Sequence, residues 1–119
     1  MGTEKDLSKI LIAEQLKEYE LEFKGETFSF KVRDLPWVTI TKMASRCLDY
    51  SGKKVEIDRS EFDTQFLETA LVEAPWPLDQ TRLVVRRINK DFGNLLRKKI
   101  IPEPFTQEDE ELKNESTQH

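Results

Sequence analysis

The sequence predicts an α+β domain in which a small antiparallel sheet is covered by helices. Two patterns indicate this fold: apolar residues alternate with polar ones between residues 19 and 33, and they recur with helical spacing along most of the remaining chain. A length of 119 residues is typical of one domain that can bury a core. We therefore expect a single domain over residues 1–102, followed by an acidic, disordered tail over residues 103–119.

A helix is predicted near the N-terminus, from Glu4 to Lys17, by a capping-box spacing and a run of good helix formers. Its apolar residues would lie on two sides of the axis. Leu7 and Leu11 belong to one side, whereas Ile12 and Leu16 belong to the other. A small domain buries only one side of a terminal helix, so the other side would need a partner or a second subunit.

A β-hairpin is predicted at about residues 19–33, where the apolar residues are Tyr19, Leu21, Phe23, Phe28, Phe30 and Val32. A four-residue turn over residues 24–27 would pair Leu21 with Phe30, with Gly25 supplying the positive φ. All six apolar side chains would then share one face, and that face needs a cover. Residues 54–58 predict a short third strand at the edge of this sheet.

Two helices are predicted to cover the sheet: one from Pro36 to about Leu48, and one from Glu61 to about Glu73 with Ser60 as its cap. The first has a compact apolar stripe formed by Trp37, Ile40, Met43, Ala44, Cys47 and Leu48. Because Cys47 lies inside this stripe, the pattern favours a buried small apolar residue over a reactive thiol.

A proline-rich elbow at residues 73–77 leads into a long amphipathic helix, predicted from Gln80 to about Lys99 with Asp79 as its cap. Its apolar arc consists of Val84, Val85, Ile88, Phe92, Leu95 and Leu96. Its basic face consists of Arg82, Arg86, Arg87, Lys90, Arg97 and Lys98. Such a face is either solvated or suited to an acidic protein surface, nucleic acid or an anionic membrane. Trp76, in the elbow, is either a packing anchor or an interface residue, and packing is favoured.

The sequence lacks the residues that common catalytic sites require. The single histidine is His119, the last residue, so no histidine-based triad or transition-metal site is expected. Neither the phosphate-binding loop GxxxxGK(S/T) nor the dinucleotide-binding motif GxGxxG occurs in the sequence. We therefore expect a protein that is not an enzyme, with no catalytic residues, cofactor or metal.

The composition indicates where the protein is located and which classes of partner it binds. Cys47 is the only cysteine, and the N-terminus lacks the apolar run of a signal peptide, so a cytoplasmic protein without a membrane partner is expected. The net charge is −4, and residues 107–119 account for all of it. A neutral body argues against a general nucleic-acid binder, which normally carries a strong basic excess.

Three segments resemble the tail assembly chaperones of tailed phages and related prophage elements. They are residues 28–37 (FSFKVRDLPW), residues 72–76 (VEAPW) and residues 91–96 (DFGNLL), within a similarity that spans Glu20 to Pro102. The resemblance implies a non-enzymatic protein that keeps a long helical tape-measure protein soluble in the host cytoplasm. Some members also recruit tail-tube subunits through a C-terminal extension, which here is only the short acidic tail.

Taken together, these features predict a chaperone or adaptor that binds a protein client. The alternative is a nucleic-acid-associated regulatory protein that uses the basic helix 82–99. The residues expected to contact a partner are Ile12, Leu16, Trp76, Arg82, Arg86, Lys90 and Arg97.

Overall fold

A computed structural model of the chain describes residues 6–104. In chain order the elements are β1 (Lys17–Phe23), β2 (Glu26–Val32), α1 (Trp37–Arg46), β3 (Leu48–Asp49), β4 (Glu56–Ile57), α2 (Arg59–Ala70), β5 (Leu71–Glu73), α3 (Thr81–Val85) and α4 (Lys90–Lys99). Short 3₁₀ helices lie at Leu7–Lys9 and Leu78–Gln80. The predicted α+β class is confirmed, because an antiparallel sheet in the order β1-β2-β5 packs with the helices around one apolar core.

The hairpin forms as predicted, but its turn has two residues where four were predicted. Leu21 pairs with Phe28 and Tyr19 with Phe30, and only Lys24 and Gly25 lie between the strands. Both turn residues have positive φ, 50° and 81°, as a two-residue type I′ turn requires. Because the register differs from the predicted one by two residues, the apolar side chains keep the same face of the sheet.

The prediction of a third strand at residues 54–58 was wrong for this sheet. Glu56–Ile57 pairs instead with Leu48–Asp49 in a separate two-stranded ladder. The third strand is β5, whose residues were predicted as the end of a helix. That helix ends at Ala70, and β5 then pairs with the second edge of β2, with Val32 opposite Leu71. This pairing provides hydrogen-bond partners for backbone groups on that edge.

The predicted N-terminal helix from Glu4 to Lys17 was also wrong within the described residues. Only one 3₁₀ turn forms, where the Asp6 side chain accepts a hydrogen bond from the Ser8 amide at 3.0 Å. The chain then passes Ala13 without regular structure and enters β1 at Lys17. A single helix of this length is marginal without a packed face, and no residue of the turn is buried. Thr3, the predicted start of the capping box, lies outside the described residues.

The long C-terminal helix is two helices, which corrects the prediction of one helix from Gln80 to Lys99. Asn89 adopts an extended ψ of 142° and caps α4, its side chain accepting from the Asp91 amide at 2.8 Å. An asparagine that satisfies a helix N-terminus in this way competes with helix continuation. Asp79 does not cap α3, because it lies within the preceding 3₁₀ turn. Likewise Asp58 rather than Ser60 caps α2.

The core is centred on the aromatic residues of the hairpin and α2. Phe30 is 1% exposed, and its ring meets the Trp76 ring edge to face at a centroid distance of 5.5 Å. Phe92 stacks on Phe23 at 5.3 Å and contacts the Phe28 ring at 5.4 Å. Phe92 of the predicted apolar arc therefore covers the hairpin. The arc residues Val85, Ile88, Leu95 and Leu96 also pack against the core, whereas Val84 is not part of it.

The fully buried core residues of the α1 region lie at its C-terminal end, while Ile40 packs partly against the core. Met43, Ala44 and Cys47 are buried, which confirms the prediction for Cys47. Burial, with smaller contributions from the carboxylates of Glu61 and Asp58, raises the pKa of the Cys47 thiol. The inclusion of Trp37 in the buried stripe was wrong, since Trp37 is 79% exposed at the opposite end of the helix.

The covered face of the hairpin predicts opposite outcomes for two neighbouring positions. Phe30→Asp places a charge in the aromatic core and should cost more than the about 3–5 kcal/mol typical of Phe→Ala. Lys31→Asp removes only two exposed ion pairs, to Glu18 and Glu73, so it should cost about 1 kcal/mol or less. Urea unfolding followed by circular dichroism measures both, and equal stability of the two variants would contradict the observed pairing.

Candidate functional site

Five large apolar side chains are exposed between residues 7 and 16, which we call the N-terminal apolar segment. The exposed fractions are 62% for Leu7, 79% for Ile10, 64% for Leu11, 47% for Ile12 and 42% for Leu16. Ile12 and Leu16, which the sequence predicted to contact a partner, both belong to it. Several large apolar side chains exposed along one short segment are typical of a protein-interaction site.

Asp34 fastens this segment to the folded body. Its Oδ2 atom accepts a hydrogen bond from the Ala13 amide at 2.9 Å, and its Oδ1 atom lies 3.9 Å from the Lys17 ammonium. Asp34 lies two residues after the end of β2 and three residues before the start of α1. The contacts of Asp34 therefore hold Ile12 and Leu16 near the point where the hairpin ends and α1 begins.

The start of α1 adds two further exposed apolar residues at this end of the molecule. Trp37 is 79% exposed and Val38 is 51% exposed. Trp37 was not predicted as a surface residue, because its helical phase matches that of Ala44. Its position in the first turn, before α1 reaches the core, was the available signal.

Trp76 contributes to packing, in agreement with the favoured interpretation. Its ring lies against Phe30, and its indole Nε1 donates a hydrogen bond to the Thr81 hydroxyl at 3.1 Å. Thr81 is 1% exposed and in turn donates to the Leu78 carbonyl at 2.8 Å. This chain of contacts connects the proline-rich elbow to α3.

Arg82, a predicted partner contact, is engaged within the domain. Its guanidinium donates to Glu61 at 2.9 and 3.0 Å and to Glu68 at 2.7 Å. Hydrogen bonds from Arg82 and Gln65 lower the pKa of Glu61 from its ordinary value of 4.5. The bonds to both glutamates raise the pKa of Arg82.

Arg97 is engaged in a second cluster, which is more deeply buried. Its Nε donates to Asp63 Oδ2 at 2.6 Å, while Arg59 Nε donates to Asp63 Oδ1 at 2.9 Å. Arg59 also contacts Glu103 at 2.7 Å, through Nη1. The Asp63 side chain is only 10% exposed, so it ties α2 to α4. This role of Asp63 was not predicted, although its i, i+4 spacing from Arg59 was a usable signal.

Arg86 and Lys90 differ from these arginines, because both are exposed and neither forms an ion pair with another described residue. Arg86 follows α3 and Lys90 begins α4, so the break between the helices separates them. The predicted basic face is therefore not one continuous helical surface.

No cluster of histidine, cysteine, aspartate and glutamate able to hold a metal ion occurs among residues 6–104. In the same part of the chain, every helix is too short or too polar to cross a bilayer.

Comparison with known proteins finds no family model that matches this chain, and no significant similarity to a curated protein or a solved structure.

The Arg82 cluster predicts a pH-dependent contribution to stability. Arg82→Gln should lower the melting temperature at pH 7, because ionised Glu61 loses its principal hydrogen-bond donor. Since the folded pKa of Glu61 is lowered, this contribution is complete above pH 4.5 and is lost as the pH falls further. The gap between wild type and variant should therefore shrink in acid.

Thermal unfolding across acidic and neutral pH measures this gap. Arg87→Gln is the matched control, because Arg87 is exposed and forms no ion pair with another described residue. A gap for Arg82→Gln that does not change with pH would contradict the assigned partners.

Proposed function

We propose that this protein is a non-enzymatic tail assembly chaperone or adaptor that binds a long helical client and keeps it soluble. The observation that carries the proposal is the exposure of five large apolar side chains in the N-terminal apolar segment. The resemblance of residues 28–37, 72–76 and 91–96 to phage tail assembly chaperones supplies the class of client, a tape-measure-like protein. Such a chaperone would act in the cytoplasm of the host.

The size of the apolar segment suits a reversible carrier. Complete burial of five such side chains would contribute on the order of 7–15 kcal/mol. Association itself costs about 4–15 kcal/mol in lost freedom of motion. The two magnitudes are comparable, so this surface supports binding that can be released when the client is assembled. An amphipathic helix is a suitable occupant, because its apolar face presents side chains at regular intervals along such a surface.

The position of the segment also favours a docking role. Asp34 holds Ala13 and Lys17, so Ile12 and Leu16 are already placed when a client arrives. A surface that is ordered before binding loses less conformational entropy on association. Trp37 extends the same end of the molecule with a large exposed aromatic ring, a residue type that often dominates interface energies.

The nucleic-acid alternative has less support. Arg82 and Arg97 direct guanidinium groups at carboxylates of the same domain, which leaves fewer cations for phosphates. Arg86 and Lys90 are suited instead to the polar rim of a protein interface, where charges affect association rate more than final affinity.

The proposal predicts that Ile12→Asp with Leu16→Asp abolishes client binding and leaves the fold intact, because both residues are exposed in the free protein. Leu78→Asp with Leu83→Asp is the matched control, since these residues are 44% and 56% exposed on the other side of the elbow. Co-expression with the proteins of neighbouring reading frames, followed by pull-down and gel filtration with mass detection, measures binding.

Charge reversal at Arg86 and Lys90 completes this experiment. We expect it to change the salt sensitivity of binding and to leave most of the affinity. If the variant at Ile12 and Leu16 still holds its client while the charge-reversed variant loses it, the chaperone proposal is wrong. Steeply salt-dependent binding of DNA or RNA would then favour the alternative.

A further inference from the structure

A cleft of about 270 Å³ lies between α2 and the α3–α4 pair, and none of its lining residues belongs to the N-terminal apolar segment. Its apolar part is formed by Leu67, Val85, Ile88, Leu96 and Ile101. For comparison, a cavity of about 150 Å³ binds benzene. The cleft can therefore hold an aromatic ring with a short chain attached, and it is smaller than the pockets that hold drug-sized ligands.

The polar part of the cleft has a surplus of positive charge. Both oxygens of Asp63 are already engaged, one by Arg59 and the other by Arg97, and Glu103 balances Arg59. Lys90 also lines the cleft and forms no ion pair with another described residue. The three cations and two carboxylates of this group leave one net positive charge.

Hydrogen-bond donors for an anion are also present at the rim. Arg97 uses Nε for Asp63, and its two Nη atoms donate to no other described residue. Asn94 lines the cleft one turn from Lys90. The cleft therefore places an apolar wall beside a guanidinium edge and an ammonium group, which is the arrangement that a carboxylate with an apolar substituent would satisfy.

We propose that this cleft binds a small arylalkyl carboxylate, with the ring against Val85 and Ile88, which are partly exposed, and the carboxylate between Arg97 and Lys90. One surplus positive charge matches a monoanion, whereas a phosphate ester with two charges would leave the site negative. This cleft shares no lining residue with the N-terminal apolar segment, but it does share Lys90 with the proposed rim of the client interface. The proposal does not depend on the proposed function.

Titration of the full chain with hydrocinnamate tests the proposal, with ¹⁵N-labelled protein observed by NMR. Saturable shifts should appear at the amides of Ile88, Gly93 and Asn94, with a Kd of about 1 mM or below for a ligand of this size. Hydrocinnamyl alcohol has the same ring and chain without the charge. It should bind at least about tenfold more weakly, because it cannot form charge-assisted hydrogen bonds.

Two variants on α4 locate the anion. Lys90→Gln should weaken hydrocinnamate binding by about tenfold, and Lys98→Gln, outside the cleft, should change it less than about twofold. Arg97→Gln is unsuitable alone, because it also removes a partner of Asp63. Equal binding of acid and alcohol, equal effects of the two lysine variants, or no saturable shift in the millimolar range would each overturn the proposal.

Discussion

The one-sided apolar face of the hairpin is the constraint on which the rest of this structure depends. Phe30 lies at its centre, and both Trp76 and Phe92 come from the C-terminal part of the chain to cover it. The apolar hairpin face has to be covered. The proline-rich elbow and the break between α3 and α4 allow two aromatic rings from one stretch of sequence to pack on this face. The N-terminal apolar segment takes no part in this cover, and its large apolar side chains stay exposed.

Electrostatic contacts then determine which charges remain for a partner. Asp63 joins α2 to α4 through Arg97, and Glu61 and Glu68 join α2 to α3 through Arg82. Removing Arg97 would leave the Asp63 carboxylate, which is only 10% exposed, with one fewer cation, so these arginines belong to the fold. The surfaces that remain are an apolar segment at one end and scattered exposed cations along α3 and α4. This distribution fits a protein that binds a client through apolar contacts, with charge confined to the rim.

The features that the sequence could predict are local ones. Alternation with a period of two predicted the hairpin and its face, but lysine rarely adopts positive φ, so the two-residue turn at Lys24 was not anticipated. Helical phase continues across residues 86–89, and therefore periodicity cannot detect the cap at Asn89 that divides the helix. Ile12 and Leu16, the predicted partner contacts, are exposed even though their helix does not form. Arg82 and Arg97 were selected from the same kind of pattern, yet their roles depend on carboxylates of α2 that only the tertiary structure brings near.

Hydrogen–deuterium exchange of the free monomer, resolved by mass spectrometry, tests most directly whether the hairpin face is satisfied within the domain while the N-terminal apolar segment is left for a partner. We expect slow exchange across β1 and β2, whose amides are paired and covered, and exchange that is faster by several orders of magnitude across residues 7–16. Slow exchange of residues 7–16 at concentrations where the protein is monomeric would contradict the account, because that segment would then already be buried by its own domain.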